Sequence, residues 1–110
     1  MKANFQQLKT GTVTLTPHDA DDLWIVNQVI FPNDKVSAKT IRKIKIGEDE
    51  RKVKVVQKPM KLTLEVEKVE YLVENVRVLG TIIAGPDDIP RGEHHTIVVE
   101  PNLTIQIQKQ

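Results

Sequence analysis

The sequence predicts a mainly β protein, a small antiparallel β-barrel carrying one α-helix. Three observations lead there. Apolar and polar residues alternate over six or seven short segments, one segment alone keeps helical spacing, and turn residues punctuate the chain at short intervals. At 110 residues the chain has room for one domain with a modest core, and two would not fit. Apolar residues make up 39%, charged residues 28% and aromatics 4%, a soluble globular composition whose core has to be aliphatic.

The first strand is read at Val13 and Leu15 after Gly11, with another possible around Phe5 to Lys9. A helix follows. Thr16 is the expected N-cap, with Pro17 at the first helical position and Asp19 at the third; Asp21 and Asp22 add favourable charge to the same end. Leu23, Val26 and Ile30 recur at helical spacing, with Trp24 on the flank, and Phe31-Pro32-Asn33-Asp34 ends the helix after about four turns.

From Lys35 the period becomes two. Val36, Ala38, Thr40, Ile44 and Ile46 share one face and Lys35, Lys39, Lys43 and Lys45 the other, with Ile41-Arg42 as the break. Gly47-Glu48-Asp49-Glu50 turns the chain and Arg51 to Val56 returns, so residues 35 to 56 read as a hairpin with a cationic outer face. Pro59 interrupts the ladder and marks an edge or a bulge. Met60, Leu62, Leu64 and Val66 alternate again toward Tyr71, and Glu74-Asn75 turns. Val76, Val78 and Ile82 form the next strand. Gly85-Pro86-Asp87-Asp88, with Pro90 and Gly92, reads as a plain loop. The final pair, Thr96 to Val99 and Leu103 to Gln108, is joined by Glu100-Pro101-Asn102.

Several function classes fall away on composition. Without cysteine there is neither a disulfide framework nor a thiolate metal site, which is compatible with a reducing cytosol. No apolar run approaches the roughly 18 residues of a membrane span, and the N-terminus lacks the apolar stretch of a signal peptide. The expected location is the cytoplasm, with no membrane partner. The net charge of +1 hides a strong polarity: residues 35 to 61 hold ten of the sixteen Lys and Arg against three acids, a local balance of +7, and the remainder carries −6. A segregated basic block fits a polyanion partner, and a protein with an acidic face would serve as well.

Gly11-Thr12-Val13-Thr14-Leu15-Thr16-Pro17, followed by Asp21-Asp22-Leu23-Trp24 and Asn27, resembles the opening of the Pelota family, relatives of the archaeal and eukaryotic class I release factors. The match continues in order through Asp34-Lys35-Val36, Thr40, Arg42-Lys43, Leu62-Thr63-Leu64-Glu65-Val66-Glu67, Arg77-Val78-Leu79-Gly80 and Gly92-Glu93-His94-His95-Thr96-Ile97-Val98-Val99-Glu100. Its most specific pieces are the Asp-Asp-Leu-Trp helix start and the Gly-x-His-His-Thr-Ile strand entry. Ile25 and Val26 depart from the polar or aromatic residues many relatives carry after this tryptophan. The release-factor motif Asn-Ile-Lys-Ser is absent, which favours Pelota over its cousin.

What the resemblance implies is an Sm-like barrel, the first of three domains, excised here from the other two. The whole protein would occupy the A site of the small subunit of a stalled ribosome, in no-go and non-stop mRNA surveillance and ribosome rescue. It would work with a translational GTPase related to elongation factor 1-alpha and then with the ATPase that splits the subunits. No cofactor is implied, and the domain is read as a binding module.

Within that frame the basic hairpin is the expected contact to mRNA or rRNA, through Arg42, Lys43, Lys45, Arg51, Lys52 and Lys54. Phosphate contacts give affinity without sequence readout. The same lysines could instead guard a sheet edge against aggregation; the resemblance selects RNA. Two alternatives remain. One is a divalent-cation-dependent endoribonuclease built on Asp19, Asp21 and Asp22, although capping and the helix dipole already account for acids there. The other is a stand-alone Sm-like RNA-binding module. His94 and His95 are read as structural or interface residues, one buried and one exposed, because neighbours on a strand point to opposite faces. Trp24 is read as core.

Overall fold

The computed structural model describes residues 2–4, 11–46, 54–87 and 89–109; for residues 4, 42–46 and 54–55 it describes the backbone alone. The elements are β1 (Lys2–Asn4), β2 (Thr12–Thr16), α1 (Ala20–Val29), β3 (Lys35–Ile46), β4 (Lys54–Leu72), β5 (Asn75–Ala84), β6 (His94–Val99) and β7 (Ile105–Gln108). They form one antiparallel sheet in the order β1-β2-β7-β3-β4-β5-β6. The expected strand at Phe5 to Lys9 and the turn at Gly47 to Glu50 lie outside the described residues.

Strict alternation builds the core. Val13, Ile107, Val36, Leu64 and Ile82 are successive register partners across five strands, and all are buried. Leu15, Ile105, Ala38 and Leu62 make a second row in the same way. Ile97 and Val99 on β6 join the same cluster as Val13 and Leu15 on β2, although several strands separate them in the sheet. The sheet therefore wraps around one interior. It does not close by strand pairing: the edges stay distinct, and β6 meets β3 through a side-chain bond from Thr40 Oγ1 to His95 Nε2, 3.1 Å. This is a mainly β, Sm-like arrangement with one helix. Among the described residues no buried apolar side chain is aromatic, as the scarcity of aromatics requires.

One feature differs from the sequence expectation in β4: the ladder is not interrupted at Pro59, and residues 54 to 72 form one strand of 19 residues. Of the expected edge or bulge at Pro59, the structure has the edge. The proline is tolerated because β5 pairs with β4 only from Thr63 onward, so Pro59 lies on an open edge. The bulge falls further on, where Val66 faces Gly80 and Lys68 faces Leu79, leaving Glu67 as the extra residue. One extra residue reverses the inward set. Before it Leu62, Leu64 and Val66 are buried; after it Val69 and Tyr71 pack on the core. Gly80 makes the close approach possible, since a Cβ there would lie 2.3 Å from the Glu65 carbonyl oxygen.

The final strands also correct an expectation. β6 and β7 do not pair with each other: β6 pairs with β5, and β7 inserts between β2 and β3. After Pro101 the chain turns at Asn102, which takes φ +74° and donates its backbone N–H to the Pro17 carbonyl at 2.7 Å. That bond carries the chain away from β6 and toward β2. The 85–92 loop is more than a connector, because it sends Ile89 into the core and Arg91 donates to the carbonyls of Gly85, Pro86 and Ile89.

Helix α1 starts later and is shorter than expected. Asp19 is the N-cap, in place of Thr16, and accepts from the Asp22 N–H at 2.9 Å; the helix runs 10 residues. Thr16 is still paired in β2, against Lys2. Leu23, Val26 and the capping Ile30 seat the helix on the core. Beyond it, Asn33 takes φ +76° and its N–H donates to the Val66 carbonyl, while Val66 N–H donates to Asp34. The Asp34 carboxylate is buried, accepts from Phe31 N–H at 2.9 Å and pairs with the Lys109 ammonium. Lys109 also donates to Val29 carbonyl oxygen at 2.6 Å and lies 4.6 Å from the Phe31 ring centroid. A cation at a helix C-terminus is favourable, and here it joins the helix, the following turn and the end of the sheet.

Removing the half-buried Lys109 ammonium leaves the buried Asp34 carboxylate without its cation. Lys109→Met is expected to cost about 3 kcal/mol in urea unfolding, with Asp34→Asn restoring part of the loss in the same background.

Candidate nucleic-acid interface

β3 and β4 pair without interruption from Lys35↔Glu65 to Ile46↔Lys54. The first part of that ladder belongs to the body, because β7 covers β3 over Lys35 to Ala38 and β5 covers β4 from Thr63. Beyond those limits, residues 39–46 and 54–62 pair only with each other. They make a two-stranded ribbon that continues two core strands. Its position follows from the period-two pattern, and its stiffness at the root follows from the core beneath it.

Of the expected contact residues, the structure places the backbones of Arg42, Lys43 and Lys45 on β3 and of Lys54 on β4, all on this ribbon. Arg51 and Lys52 lie outside the described residues. Lys35, Lys39, Lys58 and Lys61 are exposed, and among the described residues no ion pair engages them. They extend the basic set to cations that the expected site had left out. Register places Lys39 opposite Lys61 and Arg42 opposite Lys58. Like charges directly opposite destabilise a strand pair. An anionic ligand would relieve that repulsion. Ile41, the break in the alternating pattern, needs no bulge: pairing runs through it and its side chain is 60% exposed.

The acids at α1 are occupied in building the helix. Asp19 caps it, and Asp22 accepts from the N–H of His18, the residue before the cap, at 2.8 Å. The His18 N–H holds the Asp22 carboxyl below its usual pKa. Among the described residues, no group of three His, Asp or Glu is arranged to hold a metal ion.

His94 is exposed and lies 3.6 Å from Glu67, which also accepts from Thr81. His95 is half-buried and meets Thr40, so the expected contrast holds in direction. Trp24 corrects its reading. It is 47% exposed, on the flank of the helix, with its ring edge-on to Tyr71 at 5.0 Å. The bulge at Glu67 turns Tyr71 inward to meet it; its signature in the sequence is the shift of the apolar phase from Val66 to Val69 across Glu67-Lys68. No helix among the described residues is long and apolar enough to cross a membrane.

A small Sm-like β domain with one helix and a cationic two-stranded arm is the class that this fold and charge pattern define. The chain belongs to the Pelota N-terminal domain family, whose profile matches residues 1–110. It is similar to a protein pelota homolog of Methanocaldococcus jannaschii, 40% identical over 100 residues covering 88% of this chain and 29% of that protein. The Pyrococcus abyssi homolog is 43% identical over 106 residues, covering 93% and 30%. This chain thus spans about a third of the length of these relatives. Among solved structures, one described as a model of ribosome-bound archaeal Pelota and ABCE1 superposes with TM-score 0.79 at 36% identity, covering 99% of this chain and 32% of that one. Archaeoglobus fulgidus Pelota superposes with TM-score 0.64 at 27% identity, covering 99% and 27%.

The capping arrangement makes a pH prediction. Because the Asp22 pKa is lowered on folding, its stabilising contribution is present above the unfolded carboxylate pKa and is lost as pH falls through the lower folded value. Acid unfolding of Asp22→Asn, followed by circular dichroism, is expected to show a shallower loss of stability below pH about 4. Asp19→Ala is expected to cost about 1 kcal/mol at neutral pH.

Proposed function

We propose that this domain binds the small ribosomal subunit near the A site of a stalled ribosome, with the β3–β4 ribbon lying against mRNA or rRNA phosphates. The observation that carries the proposal is the ribbon itself, whose strands beyond the root pair only with each other, rich in Lys and Arg, with cation opposite cation at Lys39–Lys61 and Arg42–Lys58. Family membership supports the ribosome as the source of the polyanion, as does the likeness to a ribosome-bound archaeal Pelota. Shape and charge do the work, and Arg42, Lys43, Lys45, Arg51, Lys52 and Lys54 supply the contacts without reading bases. The domain acts as a non-catalytic module in the cytoplasm.

By the length of its relatives, it serves as the N-terminal part of a three-domain rescue factor in no-go and non-stop mRNA surveillance. Such a factor works with an elongation-factor-related GTPase and a subunit-splitting ATPase. ABCE1 is named with the ribosome-bound Pelota, and yeast Dom34, which shares the fold, is described as interacting with Hbs1.

Co-sedimentation with ribosomes carrying an empty A site tests the proposal. If six cations meet phosphates of a single strand, tripling the salt lowers affinity about 100-fold. Reversing Arg42, Lys43, Lys45, Arg51 and Lys52 to Glu is expected to abolish the salt-sensitive binding. Equal pelleting of both proteins would remove the ribbon from the mechanism.

A further inference from the structure

At the root of the ribbon, β3 and β6 pass each other without pairing, and a groove opens between them. Lys39, Thr40 and Ile41 form one wall, Thr96 and Val98 the other, and the 100–103 turn closes the end. Its surface is mixed in a particular way. Ile41 and Val98 are exposed aliphatic side chains, 60% and 38% accessible, and half-buried Leu103 lies between solvent and the core. Lys39 sits on the ribbon side with Lys61 as its register partner, while Glu100 sits at the turn.

We infer that this groove receives one unpaired nucleobase of the RNA strand whose phosphates lie along the ribbon; the inference rests on the RNA contact proposed above. A nucleobase is flat and apolar on its faces and carries hydrogen-bonding groups on its edge. Ile41, Val98 and Leu103 offer aliphatic contact to the faces, and Thr96 and Asn102 offer polar groups to the edge. The Glu100 carboxylate repels phosphate from the turn end and accepts from amino groups of bases. Lys39 attracts phosphate at the ribbon end. The two charges together orient a nucleotide with its base in the groove and its phosphate on the ribbon. A paired base is held in its stack and cannot enter, so the groove selects unpaired RNA. An extended peptide would also find open strand edges here, but the surrounding excess of cations over residues 35–61 favours the polyanion.

The test uses the 110-residue chain and three labelled probes read by fluorescence anisotropy: a ten-nucleotide single-stranded RNA of mixed sequence, the same strand annealed to its complement, and an abasic strand of equal length. The single strand is expected to bind several-fold tighter than the abasic one, through burial of a base face against aliphatic side chains, and tighter than the duplex. Val98→Thr and Ile41→Thr change no charge and replace exposed groups, so the fold is retained. Each is expected to shrink the preference for bases while leaving the salt dependence as it was. Salt-sensitive binding that ignores bases, or a preference untouched by both variants, would overturn the groove inference and leave the ribbon contact standing. Failure of every probe to bind in a salt-sensitive way would overturn both.

Discussion

The unbroken register between β3 and β4 is the constraint on which the rest of the molecule depends. One ladder does two tasks along its length. At its base Val36 and Ala38 face Leu64 and Leu62 inside the core, where burying an aliphatic side chain contributes about 1.5–3 kcal/mol. Further out the same pairing carries cations that the body could not bury. A single slipped residue would send the basic set inward and the apolar set to solvent. The core thus fixes the register of the arm, a two-stranded ribbon with little stability of its own that continues two core strands.

The β4–β5 pairing is irregular at two places, one at the root of the arm between Thr63 and Leu64 and one at Glu67, toward the helix. The bulge at Glu67 redirects β4 so that Tyr71 reaches Trp24, and Gly80 permits the close approach of β5. Lys109 and Asp34 then tie the end of β7 to the turn after α1. Helix docking and the chain end are settled on one side of the molecule, leaving the ribbon and its root groove open. That separation lets a small domain keep an aliphatic core while presenting dense positive charge.

The sequence made the strands legible wherever one face was buried. Period-two alternation located β3, β5 and the strand positions of the basic residues, because burial forces Val36 and Ala38, or Val76 and Val78, onto one side. It missed what alternation does not encode. Thr16 and Asp19 are both good caps, and only the pairing of Thr16 with Lys2 decides for Asp19. Of the two readings of Pro59, edge or bulge, the structure has the edge, and only the interruption of the strand there is absent. The last two strands were legible as strands but not in their partners, which the Asn102–Pro17 bond sets by sending the chain across to β2. The buried Asp34 gave no sign of its partner, since Lys109 lies 75 residues away. The basic ribbon was visible as composition; its like-charge register and the groove beside it required the fold.

Where the ribosome touches this domain is best measured by amide hydrogen exchange of the free and ribosome-bound chain. Ribbon binding predicts added protection across residues 39–46 and 54–62, with β2 and α1 unchanged. Protection confined to α1 around Trp24 and to the Tyr71 end of β4, with the ribbon exchanging as in the free protein, would contradict it.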